Sequence, residues 1–176
     1  MNATEAPSFE QVVLPHLDAA YNLARWLVRD ASLAEDIVQD AVLRALQYFA
    51  SFRGDTSGRA WLLQIVRNAA YAAVKARRAG VDVPLDSDDG AGAMDLPDPG
   101  PGPEAQLAQR QDLERLDEAL AALPMELREC LILCELERLS YKEIARVTGV
   151  PIGTVMSRLW RARQALLRLQ AAGRLG

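Results

Sequence analysis

Ser140-Tyr141-Lys142-Glu143-Ile144-Ala145-Arg146-Val147-Thr148-Gly149-Val150, followed by Pro151, is the stretch on which the fold reading turns. Ser140 and Glu143 have the spacing of a capping box, in which each side chain satisfies an orphan backbone N–H at a helix start. Gly149 suits the left-handed conformation in which a helix stops and the chain swings away. Pro151 is placed to begin the next helix, where its missing N–H costs nothing. A short capped helix, a glycine turn and a second helix form helix–turn–helix grammar.

The helix after the turn is two-sided. Ile152, Val155, Leu159, Ala162, Leu166 and Leu169 recur at helical spacing and are expected to face a core. The opposite side carries Thr154, Ser157, Trp160, Arg161 and Gln164, with Met156 and Arg158 on its flanks. Small hydroxyl residues let a helix approach a groove closely, and arginines pair with guanine edges or phosphates. A generic surface helix is also two-sided, but it lacks the turn that precedes this one. The pair predicts DNA binding.

The net charge of −4 argues against a polyanion partner only as an average. Residues 1–79 carry nine basic and eight acidic side chains, residues 80–112 one basic and eight acidic, and residues 113–176 ten basic and eight acidic. Finer windows are more one-sided. Arg59 to Ala79 holds five basic residues and no acidic one, and Ile144 to Gly176 holds six and none. A polyanion senses such local concentrations, because the Debye length is about 8 Å in physiological salt.

Upstream of the motif, helical periodicity resumes near Glu104 with Leu113, Leu116, Leu120 and Leu123, and Pro124 marks a break or a new start. Met125 to about Arg138 is apolar at Leu127, Leu131 and Cys134. Between about 80 and 103, glycines and prolines alternate with aspartates, a composition that builds no core and predicts a flexible acidic linker. The expected division is a helical domain over 1–79, a linker over 80–110 and a helix–turn–helix domain over 111–176.

Three helices are expected in the first domain. The first runs from Phe9 to about Arg29. The second opens at Ser32-Leu33-Ala34-Glu35, a capping-box pattern, with Ile37, Val38, Ala41, Ala45 and Leu46 inward. A loop over 51–58 precedes the third, which starts near Arg59 with Trp61, Leu62, Ile65, Val66, Ala69 and Ala73 inward. Arg67, Tyr71, Lys75 and Arg78 fall on one stripe of the third helix, with Gln64 and Asn68 beside it. Cations interleaved with an aromatic and amides suit nucleic acid whose bases are accessible, although a solvated face would show the same stripe. Asp36, Gln39, Asp40 and Arg44 share a face of the second helix, and an acidic face suits a protein partner. Complementation of the helix dipole explains Asp36 well and Asp40 poorly.

These segments together resemble the extracytoplasmic-function sigma factors of bacterial RNA polymerase. Ala34-Glu35-Asp36-Ile37-Val38-Gln39-Asp40-Ala41-Val42-Leu43-Arg44-Ala45 is similar to their polymerase-clamp-binding helix. Trp61-Leu62-Leu63-Gln64-Ile65-Val66-Arg67-Asn68 is similar to their −10-element helix. Leu120 to Pro124, Tyr141 to Ala145 and Gly153-Thr154-Val155-Met156-Ser157-Arg158-Leu159-Trp160-Arg161-Ala162-Arg163 resemble their −35 domain. The resemblance implies an all-α chain in which a sigma region 2 bundle and a region 4 helix–turn–helix flank the linker. It implies that Asp36, Gln39, Asp40 and Leu43 dock on the clamp helices of the largest polymerase subunit, and that the second domain meets the flap. It implies that Arg53, Arg59, Gln64, Arg67, Asn68, Tyr71, Lys75 and Arg78 hold the opened −10 strand. Thr154, Met156, Ser157, Arg158, Trp160, Arg161 and Arg163 would meet the −35 element. Core RNA polymerase, promoter DNA and an anti-sigma factor are the implied partners. Met156 departs from the Arg or Lys of many relatives.

No feature predicts an enzyme or a cofactor, because no carboxylate pairs with a nucleophile or a phosphate loop. Cys130 and Cys134 read as buried apolar cysteines rather than metal ligands, since the one histidine, His16, lies in the other domain. The absence of a leader-like start or a bilayer-spanning apolar run predicts a cytoplasmic protein without membrane insertion. The rival reading of the same residues is a helix–turn–helix regulator that works without polymerase.

Overall fold

The first break in the expected pattern is Pro15. A proline inside a helix removes one backbone donor and crowds the preceding turn. The computed structural model, which describes residues 6–80 and 102–173, accordingly splits the first helix. Helix α1 (Phe9–Val13) leads into a 3₁₀ turn over Leu14–His16, and α2 (Leu17–Val28) follows. Ser8 and Gln11 close a capping box on α1. Arg29 ends α2 in the left-handed conformation, at φ 57°.

That turn relocates the start of α3 (Ala31–Tyr48). Its cap is Asp30, whose carboxylate accepts from the Leu33 amide at 2.9 Å, and not Ser32 as the sequence pattern suggested. The physical reason is that Arg29 swings the chain so that Asp30, in extended conformation, already aims at the first free amides. Asp30 also accepts from Arg77 at 2.7 Å. These bonds, led by the Leu33 amide, hold its carboxyl below the usual range.

Helix α4 (Gly58–Arg78) follows a 3₁₀ turn at Phe49–Ser51 and a loop, and it is capped by Ser57. Gly58 touches α1 so closely that a Cβ there would lie 2.6 Å from the Val12 carbonyl oxygen. Helices α2, α3 and α4 pack on one another around Leu23, Leu27, Ile37, Leu62, Leu63 and Val66. Leu46, expected inward, is 56% exposed, because the closely packed stripe of α3 is Ile37, Ala41 and Ala45.

The second half contains α5 (Pro103–Ala122), α6 (Met125–Glu135), α7 (Tyr141–Thr148) and α8 (Ile152–Ala171). Pro124 starts α6 rather than kinking a longer helix. Ser140 and Glu143 form the expected capping box, and Gly149 ends α7 at φ 73°. Ile132, Leu133, Ile144, Val147, Val155 and Leu159 make its core. Ile152 is 45% exposed, so the buried stripe of α8 starts at Val155. Leu166 is only half-buried, since α8 outruns the helices beneath it.

The halves touch. Helix α4 packs on α7 and α2 packs on α6, and the apolar core continues from one half to the other. Helix α5 begins at Pro103, within the stretch whose composition reads as linker, and its first half is exposed. The rest of the expected linker, residues 81–101, lies outside the described residues.

Replacing Asp30 by Ala should destabilise the protein by about 1–2 kcal/mol in urea unfolding, the usual worth of a lost cap. Ser32→Ala should change it by less than about 0.5 kcal/mol. Because the Asp30 pKa is lowered on folding, its contribution is present above the ordinary carboxylate value and should fade as pH falls through the folded value.

Candidate polymerase and nucleic-acid interfaces

Three surfaces carry the residues singled out from the sequence. On α8, burial of Val155, Leu159 and Ala162 turns the opposite side to solvent. Met156, Ser157, Trp160 and Arg161 are exposed there together, with Thr154 half-buried at the edge. The Ser157 hydroxyl donates to the Thr154 carbonyl at 3.1 Å, and Arg161 reaches the Ser157 oxygen at 3.5 Å. Arg158 and Arg163 do not share this face. Arg158 donates to Glu129 at 3.3 Å and Arg163 to Glu135 at 2.8 Å.

On α4, Gln64, Asn68, Lys75 and Arg78 line an exposed stripe. Arg67 and Tyr71 belong to the same stripe in sequence but lean towards the second half. Arg67 donates to Glu129 through Nε at 2.9 Å and Nη2 at 3.2 Å, with its guanidinium 3.8 Å above the Tyr71 ring. Burial, and then the Glu129 charge, push the Tyr71 phenol well above its ordinary value. Arg59, near the start of α4, is ion-paired to Glu137.

The loop before α4 is anchored by aromatics. Phe52 lies 5.0 Å from Trp61 and stacks on Phe49, which meets Phe9 edge-on. Arg53 is exposed in this loop. The far end of the loop rests on α7. Arg146 donates to the Asp55 carbonyl at 2.8 Å, and Ser57 donates to Glu143 at 3.2 Å. Ser57 therefore serves two elements, since its oxygen also caps α4 by accepting from the Ala60 amide.

On α3, Asp36, Gln39, Asp40 and Leu43 are all exposed and share one face. Asp40 pairs with Arg44 at 2.8 Å. Leu46 and Tyr48, 56% and 62% exposed, extend this surface with apolar area the sequence reading did not include.

The residue the sequence reading missed is Glu129. It has no exposed surface, and it binds Arg67 from the first half and Arg158 from its own. Burial pushes its carboxyl up, opposed by the Arg67 hydrogen bonds. Glu137, 4% exposed, plays a parallel part for Arg59. Both glutamates sit in stretches where local periodicity assigns no partner, so the only signal was the presence of cations seeking one. Arg128 is buried too, and donates to the Trp26 carbonyl at 2.9 Å.

The cysteines sit on α6. Burial pushes the Cys130 thiol up to about 11, which leaves it protonated and unreactive at neutral pH. Cys134 is only half-buried, and its thiol is also raised by burial. Among the described residues no helix is long and apolar enough to cross a membrane.

Residues 12–80 match the family model described as Sigma-70 region 2, and residues 113–166 match Sigma-70 region 4. The RNA polymerase sigma-H factor of Pseudomonas aeruginosa is 35% identical over 164 residues, covering 90% of this chain and 84% of that protein. The ECF RNA polymerase sigma-E factor of Escherichia coli K12 is 34% identical over 137 residues, covering 74% and 70%. Among solved structures, the sigma factor RpoE of Bartonella quintana, in complex with the anti-sigma factor NepR, superposes with a TM-score of 0.71 at 30% identity. That match covers 93% of this chain and 96% of RpoE. CnrH, in complex with the cytosolic domain of CnrY, gives 0.66 at 27% identity, covering 93% and 88%. These matches do not favour the polymerase-independent regulator. Two sigma regions in this order, on relatives matched over most of their length, make the chain a member of the extracytoplasmic-function sigma factors, the non-enzymatic subunits that direct RNA polymerase to promoters.

Proposed function

We propose that this sigma factor divides its work among the three surfaces described above and must open to use them. In this reading residues 1–79 form the polymerase and −10 domain, 80–110 the tether and 111–176 the −35 domain. The exposed α3 face, Asp36, Gln39, Asp40 and Leu43, docks on the clamp helices of the largest polymerase subunit, and the second domain meets the flap. The loop with Arg53 and the α4 stripe hold the opened −10 strand. The outer face of α8 enters the major groove at −35. The observation that carries this is α8 itself, set by a capped α7 and a left-handed Gly149 so that Ser157, Trp160 and Arg161 project from the turn.

Opening follows from length. The two elements lie about 25 base pairs apart by their names, or about 85 Å at 3.4 Å per pair. A packed body of this size has a radius of gyration of about 15 Å and cannot touch both. The contacts that must yield include Arg67–Glu129, Arg59–Glu137, Arg146–Asp55 and Ser57–Glu143, besides Arg29–Asp117 and Arg128–Trp26 at α2. The first four occupy the −10 helix or its loop, so the closed form withholds part of the −10 surface. RpoE and CnrH were solved with NepR and with CnrY. By that likeness we assign this chain a protein inhibitor of the anti-sigma kind, and a place in the cytoplasm with the polymerase.

Run-off transcription with core polymerase and promoter fragments tests the function, and no transcript dependent on this chain would sink it. Reversing Asp36 and Asp40 to Lys should abolish polymerase binding while leaving the urea midpoint nearly unchanged, because both side chains are exposed. The closed form has its own check. Arg67→Met breaks the inter-half pair and should raise the radius of gyration in X-ray scattering. Arg158→Met breaks only the pair within the second half. It should lower stability by about 1–3 kcal/mol without that expansion.

A further inference from the structure

Six side chains at the centre of α8 distribute unevenly. Arg158 turns inward to Glu129, and Arg163 is held by Glu135. The Ser157 hydroxyl proton is spent on the Thr154 carbonyl. What remains on the outward face is Met156, 54% exposed, and Trp160, 62% exposed, one turn apart, with Arg161 beside them. Gly153 lies one turn before, and a Cβ there would meet nothing within 4 Å, so that end of the helix offers little obstruction to a close surface.

Exposed apolar area of this kind is costly in water and is worth most when covered. The surrounding charge says by what. From Ile144 to Gly176 the sequence has no acidic residue, and Arg161 lies beside the stripe on the same exposed face. A polyanion fits that surround, and an acidic helix face is the only protein surface that would share the preference. In the major groove of duplex DNA the one apolar group presented by a base pair is the thymine 5-methyl. Guanine and adenine instead offer N7 acceptors. Met donates nothing, so such an acceptor placed against it would lose its water without a replacement.

We propose that Met156 and Trp160 are specificity-determining residues that read thymine methyl groups in the −35 element, with Arg161 supplying a neighbouring polar or phosphate contact. The inference rests on the reading that α8 enters the −35 major groove. It assigns this chain a preference for T·A pairs at the positions facing the middle of the helix, where a long cation at 156 would favour guanine.

The test uses the full chain bound to core polymerase. A library randomised over the −35 and −10 elements is selected for transcription, and the −35 thymines of the winners are then replaced singly by deoxyuridine, which deletes only the methyl group. Selection should enrich thymine, and the critical deoxyuridine should lower open-complex formation about three- to tenfold. Met156→Ala and Trp160→Ala should erase that sensitivity, and Met156→Arg should move the selected base towards guanine. Both side chains are exposed, so circular dichroism should stay as in the parent. Winners without thymine, or equal use of thymine and deoxyuridine, would overturn the inference alone. Absence of any transcript from the whole library would overturn the promoter reading beneath it and the inference with it.

Discussion

Glu129 sits where water does not reach, and a carboxylate in such a place survives only if other groups replace its hydration. Arg67 and Arg158 do so from two directions. One belongs to α4 and the other to α8. A single buried charge therefore ties α4 to α8. Tyr71, under the Arg67 guanidinium, completes the cluster. The orientation of α4 against the second half, the direction of Arg158 and the occupancy of Arg67 all depend on it.

The proposed opening would give the cations of this protein two states. A guanidinium bound to a buried carboxylate and a guanidinium bound to a phosphate make similar charge-assisted hydrogen bonds. Exchange of one for the other costs less than exposing either alone. Arg59 with Glu137 repeats the device at lower burial of the cation. The loop between the aromatic anchor Phe52 and the cap Ser57 is held on α7 by side-chain bonds, some to its backbone, so it is released whenever the halves part. The α3 face proposed to meet polymerase is outside all these contacts and is exposed.

The outer face of α8 is likewise clear of the second core. Its chemistry is decided by subtraction. Carboxylates take two of its arginines, an intrahelical bond takes one hydroxyl proton, and apolar area is left at the centre. Of these two arginines only Arg158 is turned inward, while Arg163 stays exposed in its pair.

Local grammar was enough for much of the fold. The capping box at Ser140 and Glu143, the left-handed Gly149, the helix start at Pro124 and the two-sided α8 each follow from interactions within a few residues, so neighbouring letters specify them. The exposure of Asp36, Asp40, Lys75, Trp160 and Arg161 was legible for the same reason, as helical period alone sets it. Tertiary structure alone decided the partners of Arg59, Arg67 and Arg158, the burial of Glu129 and Glu137, and the exposure of Leu46 and Ile152. Those outcomes depend on groups far apart in the chain or on where a neighbouring helix ends. The cap of α3 lay between the two cases. Asp30 was as good a letter as Ser32, and the left-handed Arg29 determined which of them met the free amide.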